Sequence, residues 1–370
     1  MPSIHQRPNW PAFHWDDAVL APIVGDVRYR QGLLLGHMRT LGHEGQREAT
    51  MTSLTDEIVA SSAIEGVALA VLEVRSSLAR RLGLDQPGLP AAGRAVEGVV
   101  EMTLDATQNF ALPLTSERLF GWHASLFPAG RSGMRRITVG AWRTAEIGPM
   151  QVVSGPVGRE RVHFEAQAAD RLEREMTAFL SWFNAGPDVD PVVKAGIAHF
   201  WFVTVHPFED GNGRIARAIA DMALARADAS GERFYSMSSQ ILRERREYYL
   251  QLGSAQRASL DITAWLRWFL DCLARAIDGA EDALAAVLKR ADQRRHIERF
   301  ALNDRQRTVL DRLMGEFTGH LTTSKYAKLA KTSKDTALRD IRELLEFGIL
   351  VQNAGGGRST SYRLDDVTGS

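Results

Sequence analysis

The sequence predicts a mainly α-helical protein interrupted by one β-hairpin, and three observations carry that expectation. Apolar residues recur at three- and four-residue spacing through most of the 370 positions. Residues 131–165 break that period and are rich in glycine and β-branched residues. From residue 302 the pattern reads helix, helix, helix, then a strand, a glycine-rich turn and a strand in "GILVQNAGGGRSTSYRL".

The elements follow in order. Residues 26–82 read as helices, with apolar spacing in "LTDEIVASSAIEGVAL" and "VLEVRSSLARRL". "LDQPGLPAAG", residues 84–93, is a loop by its Pro and Gly content, and a helix follows over roughly 94–109. "PLTSERLFGWHASLF" is a helix capped by Thr115 or Ser116. "MQVVSG" and "ERVHFEA", joined through "PVGR", form the hairpin. Helices are expected at 167–184, 190–205, 213–228, 238–253 and 261–290. The final pattern is that of a winged helix-turn-helix. There is no internal repeat and no low-complexity segment.

Composition narrows the class. Apolar residues make up 45% and charged residues 24%, and the formal net charge is zero, so binding to nucleic acid would need a local basic surface. A single cysteine, Cys272, excludes an internal disulfide framework and a cysteine zinc site. No basic head precedes an apolar stretch at the N-terminus, and no apolar run approaches the ~20 residues of a membrane span. A soluble protein of a reducing cytoplasm, with no membrane partner, is expected.

The most informative stretch is "HPFEDGNGRIAR", residues 206–217. The apolar run "VVKAGIAHFWFVTV" ends at His206, because Pro207 disfavours helix for the residue before it. Asp210-Gly211-Asn212-Gly213 makes a tight turn, and "RIARAIADMALARA" opens a new helix. A glycine turn at a helix N-terminus presents backbone N–H groups and the positive end of the helix dipole to a phosphate. Arg214 and Arg217, three apart, reach the same anion. Asp210 is a hard oxygen ligand suited to magnesium, and His206 is the one group here that exchanges a proton near neutral pH. A Walker-type loop fits less well, since no Gly-Lys-Ser/Thr follows the turn. The parts suit nucleotide phosphoryl or nucleotidyl chemistry.

The stretch resembles the Fic-domain signature HxFx(D/E)GNGRxxR at His206, Phe208, Asp210, Gly211, Asn212, Gly213, Arg214 and Arg217. The resemblance implies a Fic-type helical core and transfer of AMP from ATP to a hydroxyl on a target protein. It implies His206 as general base, Phe208 as loop anchor and Asp210 as magnesium ligand. Gly211, Asn212 and Gly213 would hold the α- and β-phosphates with help from Arg214, and Arg217 the γ-phosphate. The hairpin near 150–165 is similar to the family's flap, which aligns the target protein by strand addition. Tyr248 and Tyr249 fall where the family closes its nucleotide pocket. Homodimers are frequent among similar proteins.

"SSAIEG" reads on its own as a mid-helix turn with a solvated Glu65 and a weak point at Gly66. Beside the Fic signature it is similar to the family's inhibitory motif (S/T)xxxE(G/N), through Ser61, Glu65 and Gly66. The resemblance implies that Glu65 competes with the γ-phosphate for Arg217. In some relatives the same glutamate also positions a water that removes AMP, so a de-AMPylating activity stays open.

The expected domains are a helical N-terminal region with the inhibitory motif (1–110), a Fic catalytic domain (111–290) and a winged helix-turn-helix domain (300–364). In the last, Ser333 is the expected cap of the second helix, Lys334, Thr336 and Arg339 face outward, and Arg358 sits at the wing tip. Residues 301–364 hold eleven Lys/Arg and seven Asp/Glu, so a DNA partner is open alongside a protein-docking role. A DNA-binding regulator whose Fic domain senses nucleotide is the competing class. Transfer of phosphate or phosphocholine belongs to relatives with altered motifs, and the intact Asp210–Arg217 string argues against it. His199 and Trp201 are expected in the core, Trp10 and Trp15 against the N-terminal helices, and His163 as an exposed hairpin residue.

Overall fold

The computed structural model describes residues 3–84, 90–148, 150–154, 161–186, 189–314, 319–353 and 360–365. The chain divides into two compact units, Met1–Ala280 and Glu281–Ser370. In chain order the elements are α1 (Asp17–Thr40), α2 (His43–Ile64), α3 (Val71–Arg81), α4 (Arg94–Gln108), α5 (Ser116–Leu126), β1 (Arg131–Ser132), β2 (Arg135–Arg136), β3 (Gln151–Ser154), β4 (Arg161–Glu165), α6 (Leu172–Asn184), α7 (Pro191–Val205), α8 (Asn212–Asp228), α9 (Met237–Arg243), α10 (Arg245–Ala255) and α11 (Thr263–Ile297). Then come α12 (Asp304–Met314), α13 (Thr323–Leu329), α14 (Lys334–Glu346), β5 (Leu350–Gln352) and β6 (Tyr362–Leu364). The protein is mainly α-helical.

The first unit is built around α7, whose residues from Val192 to Val205 are all buried. A helix apolar on every side must be wrapped by others. Here α6 and α8 pack on α7, while α4 packs on α5 and α8. Helix α2 lies against α9 and touches α8. Glu57 pins it, its buried carboxylate accepting from Ser236 Oγ at 2.8 Å and the Ser238 N–H at 2.9 Å.

Local rules account for the helix ends. Asp16 accepts from the Ala18 N–H at 2.9 Å, so α1 begins earlier than its apolar period suggests. Thr115 caps α5 through the Arg118 N–H. The helix expected over 238–253 is two helices, divided at Glu244, whose carboxylate forms a fork with Arg275 of α11 at 2.6 and 2.7 Å. Strands β3 and β4 pair antiparallel, Gln151 opposite Glu165, with a bulge between Val152 and Val153. The pair β1–β2, two residues each, has too few residues to show a period. His199 and Trp201 are buried on α7. The Trp10 ring packs edge-on against Trp201, and Trp15 Nε1 donates to Asp17.

In the second unit α12, α13 and α14 enclose Val309, Leu310, Tyr326, Ile341 and Leu344, and β5 pairs antiparallel with β6. Ser333 caps α14 by accepting from the Thr336 N–H at 3.2 Å. Lys334 and Arg339 are exposed and Thr336 is half-buried. Arg358 lies outside the described residues, as does the side chain of His163. Among the described residues no helix is long and apolar enough to cross a membrane.

Candidate active site

The loop between α7 and α8 is shaped by its own residues. His206 closes α7 in a left-handed conformation (φ 54°, ψ 59°), and Gly211 (φ 81°, ψ −1°) opens α8. Phe208 is fully buried, stacked on His123 with centroids 4.2 Å apart, and also packs against Phe120, Trp142 and Phe202. Asn212 braces the loop across its base. Its Oδ1 accepts from the Phe208 N–H at 3.0 Å, and its Nδ2 donates to the Phe208 carbonyl at 2.8 Å. The side chain of Asn212 is therefore spent on the loop.

The imidazole of His206 is half-buried. Its Nδ1 lies 3.2 Å from the Val203 carbonyl, which can only accept, so Nδ1 carries the proton and Nε2 keeps a lone pair. Burial lowers its pKa to about 4 despite the Val203 bond, and the nearby Arg143 cation adds to the lowering. Neutral at physiological pH, the ring is ready to accept a proton at Nε2.

Asp210 sits beside the glycine turn. One carboxylate oxygen accepts the Gly211 N–H at 2.5 Å and the other accepts the Ser132 hydroxyl. Arg214 is buried over the Phe127 ring, 5.0 Å from its centroid, with no hydrogen-bond partner for Nε among the described residues. Arg217 is buried too, and its NH1 has no such partner. Two buried guanidinium groups with unmet N–H donors at one helix N-terminus are a chemical demand for an anion.

The rest of Arg217 is engaged by α2. Its Nε donates to Ser61 Oγ at 2.9 Å, and its NH2 donates to the Ser61 carbonyl at 2.8 Å and to Glu65 Oε1 at 2.7 Å. Burial works against the charge, but Glu65, with Tyr248 and Tyr249 beside it, holds the guanidinium pKa above its ordinary value. Glu65 is placed by the end of α2. The Gly66 N–H bonds to Ala63 O at 3.0 Å and the Val67 N–H to Ser62 O at 3.0 Å, the double closure of a Schellman stop. Such a stop needs a left-handed residue, which Gly66 supplies at φ 81°. Gly66 thus ends α2; it is not a weak point inside a helix. Glu65 in turn stands so close to Gly213 that a Cβ built there would lie 2.1 Å from Oε1. Only glycine allows this carboxylate over the turn.

The remaining predicted residues lie nearby. Tyr248 is buried behind Arg217, its hydroxyl 2.9 Å from His199 Nε2. Tyr249 is exposed, with its ring 5.0 Å from that of Tyr248 and its hydroxyl 3.5 Å from the Ile64 carbonyl. Several residues that support the site carried no sequence signal. His123 Nε2 donates to the Asp210 carbonyl at 3.2 Å, and burial lowers the His123 pKa to about 4. Buried Glu209 accepts the Thr138 N–H at 3.0 Å. Arg143 donates from Nε to the His206 carbonyl at 2.9 Å.

Comparison with known proteins places this loop in a family. Residues 113–224 match the Fic/DOC family, and residues 3–84 match a domain of unknown function, DUF4172. The chain carries a Fic/DOC domain. It is 34% identical over 115 residues to protein adenylyltransferase Fic of Nematostella vectensis, covering 30% of this chain and 25% of that protein. It is 27% identical over 168 residues to protein adenylyltransferase fic-1 of Caenorhabditis elegans, covering 45% and 30%. The matches thus span less than a third of the length of these relatives. The fold is similar to that of a Fic family protein from Desulfovibrio desulfuricans (TM-score 0.54, 20% identity, 96% of this chain and 98% of that one). It is also similar to that of a Fic domain containing signaling protein from Bacteroides thetaiotaomicron (TM-score 0.51, 20% identity, 72% and 97%).

Proposed function

We propose that the chain is an autoinhibited protein adenylyltransferase that moves AMP from ATP to a hydroxyl side chain of a target protein. The observation that carries this reading is the pair of buried arginines at the N-terminus of α8, each with an unmet N–H, on the same loop as a neutral imidazole. Relatives named as protein adenylyltransferases support it.

In this reading the backbone N–H groups of Gly211, Asn212 and Gly213, with Arg214, hold the α- and β-phosphates, and Arg217 holds the γ-phosphate. Tyr248 and Tyr249 close the nucleotide side. The target hydroxyl gives its proton to His206 Nε2, its oxygen bonds to the α-phosphorus, and the bond to pyrophosphate breaks. Asp210 would hold magnesium. The described residues include no group of three ligating side chains, and a single carboxylate suits an ion that keeps waters and substrate phosphates in its shell. When bound, that ion neutralises charge on the phosphates. The pair β3–β4 presents strand edges to which a target segment adds.

Glu65 is the brake. While it holds Arg217, the γ-phosphate has no clamp and the α-phosphate is poorly aligned for in-line attack. The second unit, with three helices ahead of a two-stranded pair, is read as a winged helix. The exposure of Lys334 and Arg339 on α14 favours duplex DNA as its partner.

Labelled ATP tests the chemistry. With Glu65→Gly protein, label from the α-phosphate should enter protein covalently, label from the γ-phosphate should not, and His206→Ala should abolish the transfer. Label bound without transfer would instead favour a nucleotide-sensing regulator. For the second unit, duplex DNA should bind the full chain with affinity that falls as salt rises, and Lys334→Glu with Arg339→Glu should remove it. No binding at low salt would favour protein docking.

A further inference from the structure

His206 combines two unfavourable settings. It is a non-glycine residue in the left-handed region, and it precedes a proline, a position that favours extended backbone. Such strain persists only where the surroundings over-determine it.

Four contacts do so. Two come from α7: the His206 N–H donates to Phe202 O at 3.0 Å, and Nδ1–H donates to Val203 O at 3.2 Å. The other two come from one residue outside the loop. Arg143 Nε donates to the His206 carbonyl at 2.9 Å, and the Arg143 backbone N–H donates to the Pro207 carbonyl at 2.9 Å. Helix α7 thus grips the amide and ring of His206, and Arg143 grips the two carbonyls that follow.

The third arm of Arg143 reaches elsewhere. Its NH2 donates to the carbonyl of Gln167, two residues past the end of β4. Arg143 is 3% exposed, and its guanidinium bonds go to backbone carbonyls. Burial lowers its pKa to about 10, which leaves it a cation at neutral pH. A planar fork that reaches two separate backbone segments is a geometry lysine cannot reproduce.

We propose that Arg143 is a positioning residue: it holds His206 in its left-handed conformation and ties that conformation to the root of the β3–β4 hairpin through Gln167. The base and the strand that would receive the target then share one anchor. This rests on the reading of His206 as base, and the experiment separates the two.

The test uses the full chain carrying Glu65→Gly, then adds Arg143→Met or Arg143→Lys, with thermal melting to verify folding. Two readouts are taken: kcat and KM for ATP in AMP transfer, and the tautomer of the His206 ring by long-range proton–nitrogen NMR without nucleotide. Arg143→Met should lower kcat on the order of 100-fold, the cost of a misplacement near 1 Å, with KM for ATP unchanged. The Nδ1–H tautomer should be lost or averaged, and Arg143→Lys should fall between. If Arg143→Met does not fold, Arg143→Lys decides by the same two readouts. Unchanged kcat with an intact tautomer overturns the proposal. So does a kcat loss that leaves the tautomer intact, or one matched by an equal loss of ATP affinity. If the Glu65→Gly protein transfers no AMP at all, the functional reading fails, and the tautomer alone decides the role of Arg143.

Discussion

Glu65 and Arg217 are separated by 152 positions in sequence and by 2.7 Å in space. The contact is made by the residue that caps α2 and by a residue on the second turn of α8. It joins the DUF4172 region to the Fic/DOC domain, and it engages one of the two buried arginines on α8. Ser61, one turn earlier on α2, holds the same guanidinium from the side.

Ser61→Ala should weaken this grip without removing it. The substitution deletes the Nε contact and keeps the carbonyl contact and Glu65. One such bond contributes about 0.5–1.5 kcal/mol, so basal AMP transfer should rise roughly two- to tenfold. Initial rates with labelled ATP measure it.

The pH profile reports His206. As the proposed base it must be unprotonated to act, and burial lowers its pKa to about 4. The rate should therefore stay flat as pH falls from 7 toward 5, and should drop only near pH 4. The sign for stability agrees: a histidine lowered on folding contributes stability above its unfolded value, lost as pH falls through the folded one. An acidic limb near 6.5, the ordinary value, would contradict that lowering.

A second pH effect has the opposite sign. Burial first, then Glu57, pushes the Asp221 carboxyl up to about 8, against the pull of Arg233. A carboxyl raised on folding contributes stability at low pH that is lost as pH rises through the folded value. Urea midpoints should fall as pH rises from the ordinary carboxyl value of 3.8 to about 8, and level off above it. Asp221→Asn should flatten that slope.

Asn212→Ala should cost both stability and activity. It strips two hydrogen bonds from Phe208, leaving a buried N–H and a buried carbonyl unmet, at about 1–3 kcal/mol each. Thermal melting reads the first effect and AMP transfer the second. A variant as stable as the parent would refute the bracing role.

The loop at 206–217 was legible because its residues are consecutive: an apolar helix, a proline, a glycine turn and two arginines three apart state their geometry locally. The β3–β4 hairpin was legible from its period, and Ser333 and Thr115 from their caps. Glu65 was legible only through resemblance to a motif, since an isolated glutamate at a helix end has no preferred partner 152 positions away. His123, Ser132, Arg143 and Glu209 were not legible. Each is a single polar residue whose partner is a backbone group or side chain supplied by tertiary closure. The break at Glu244 was hidden for the same reason, because it is paired with Arg275 of another helix.

The most direct test is the rate of AMP transfer at saturating magnesium-ATP in Glu65→Gly and Glu65→Asp against the unsubstituted chain. A charge-assisted hydrogen bond is worth roughly 1.5–3 kcal/mol, so Glu65→Gly should be about ten- to a hundredfold faster and Glu65→Asp less so. Equal rates in all three proteins would contradict the claim that Glu65 withholds Arg217 from the nucleotide.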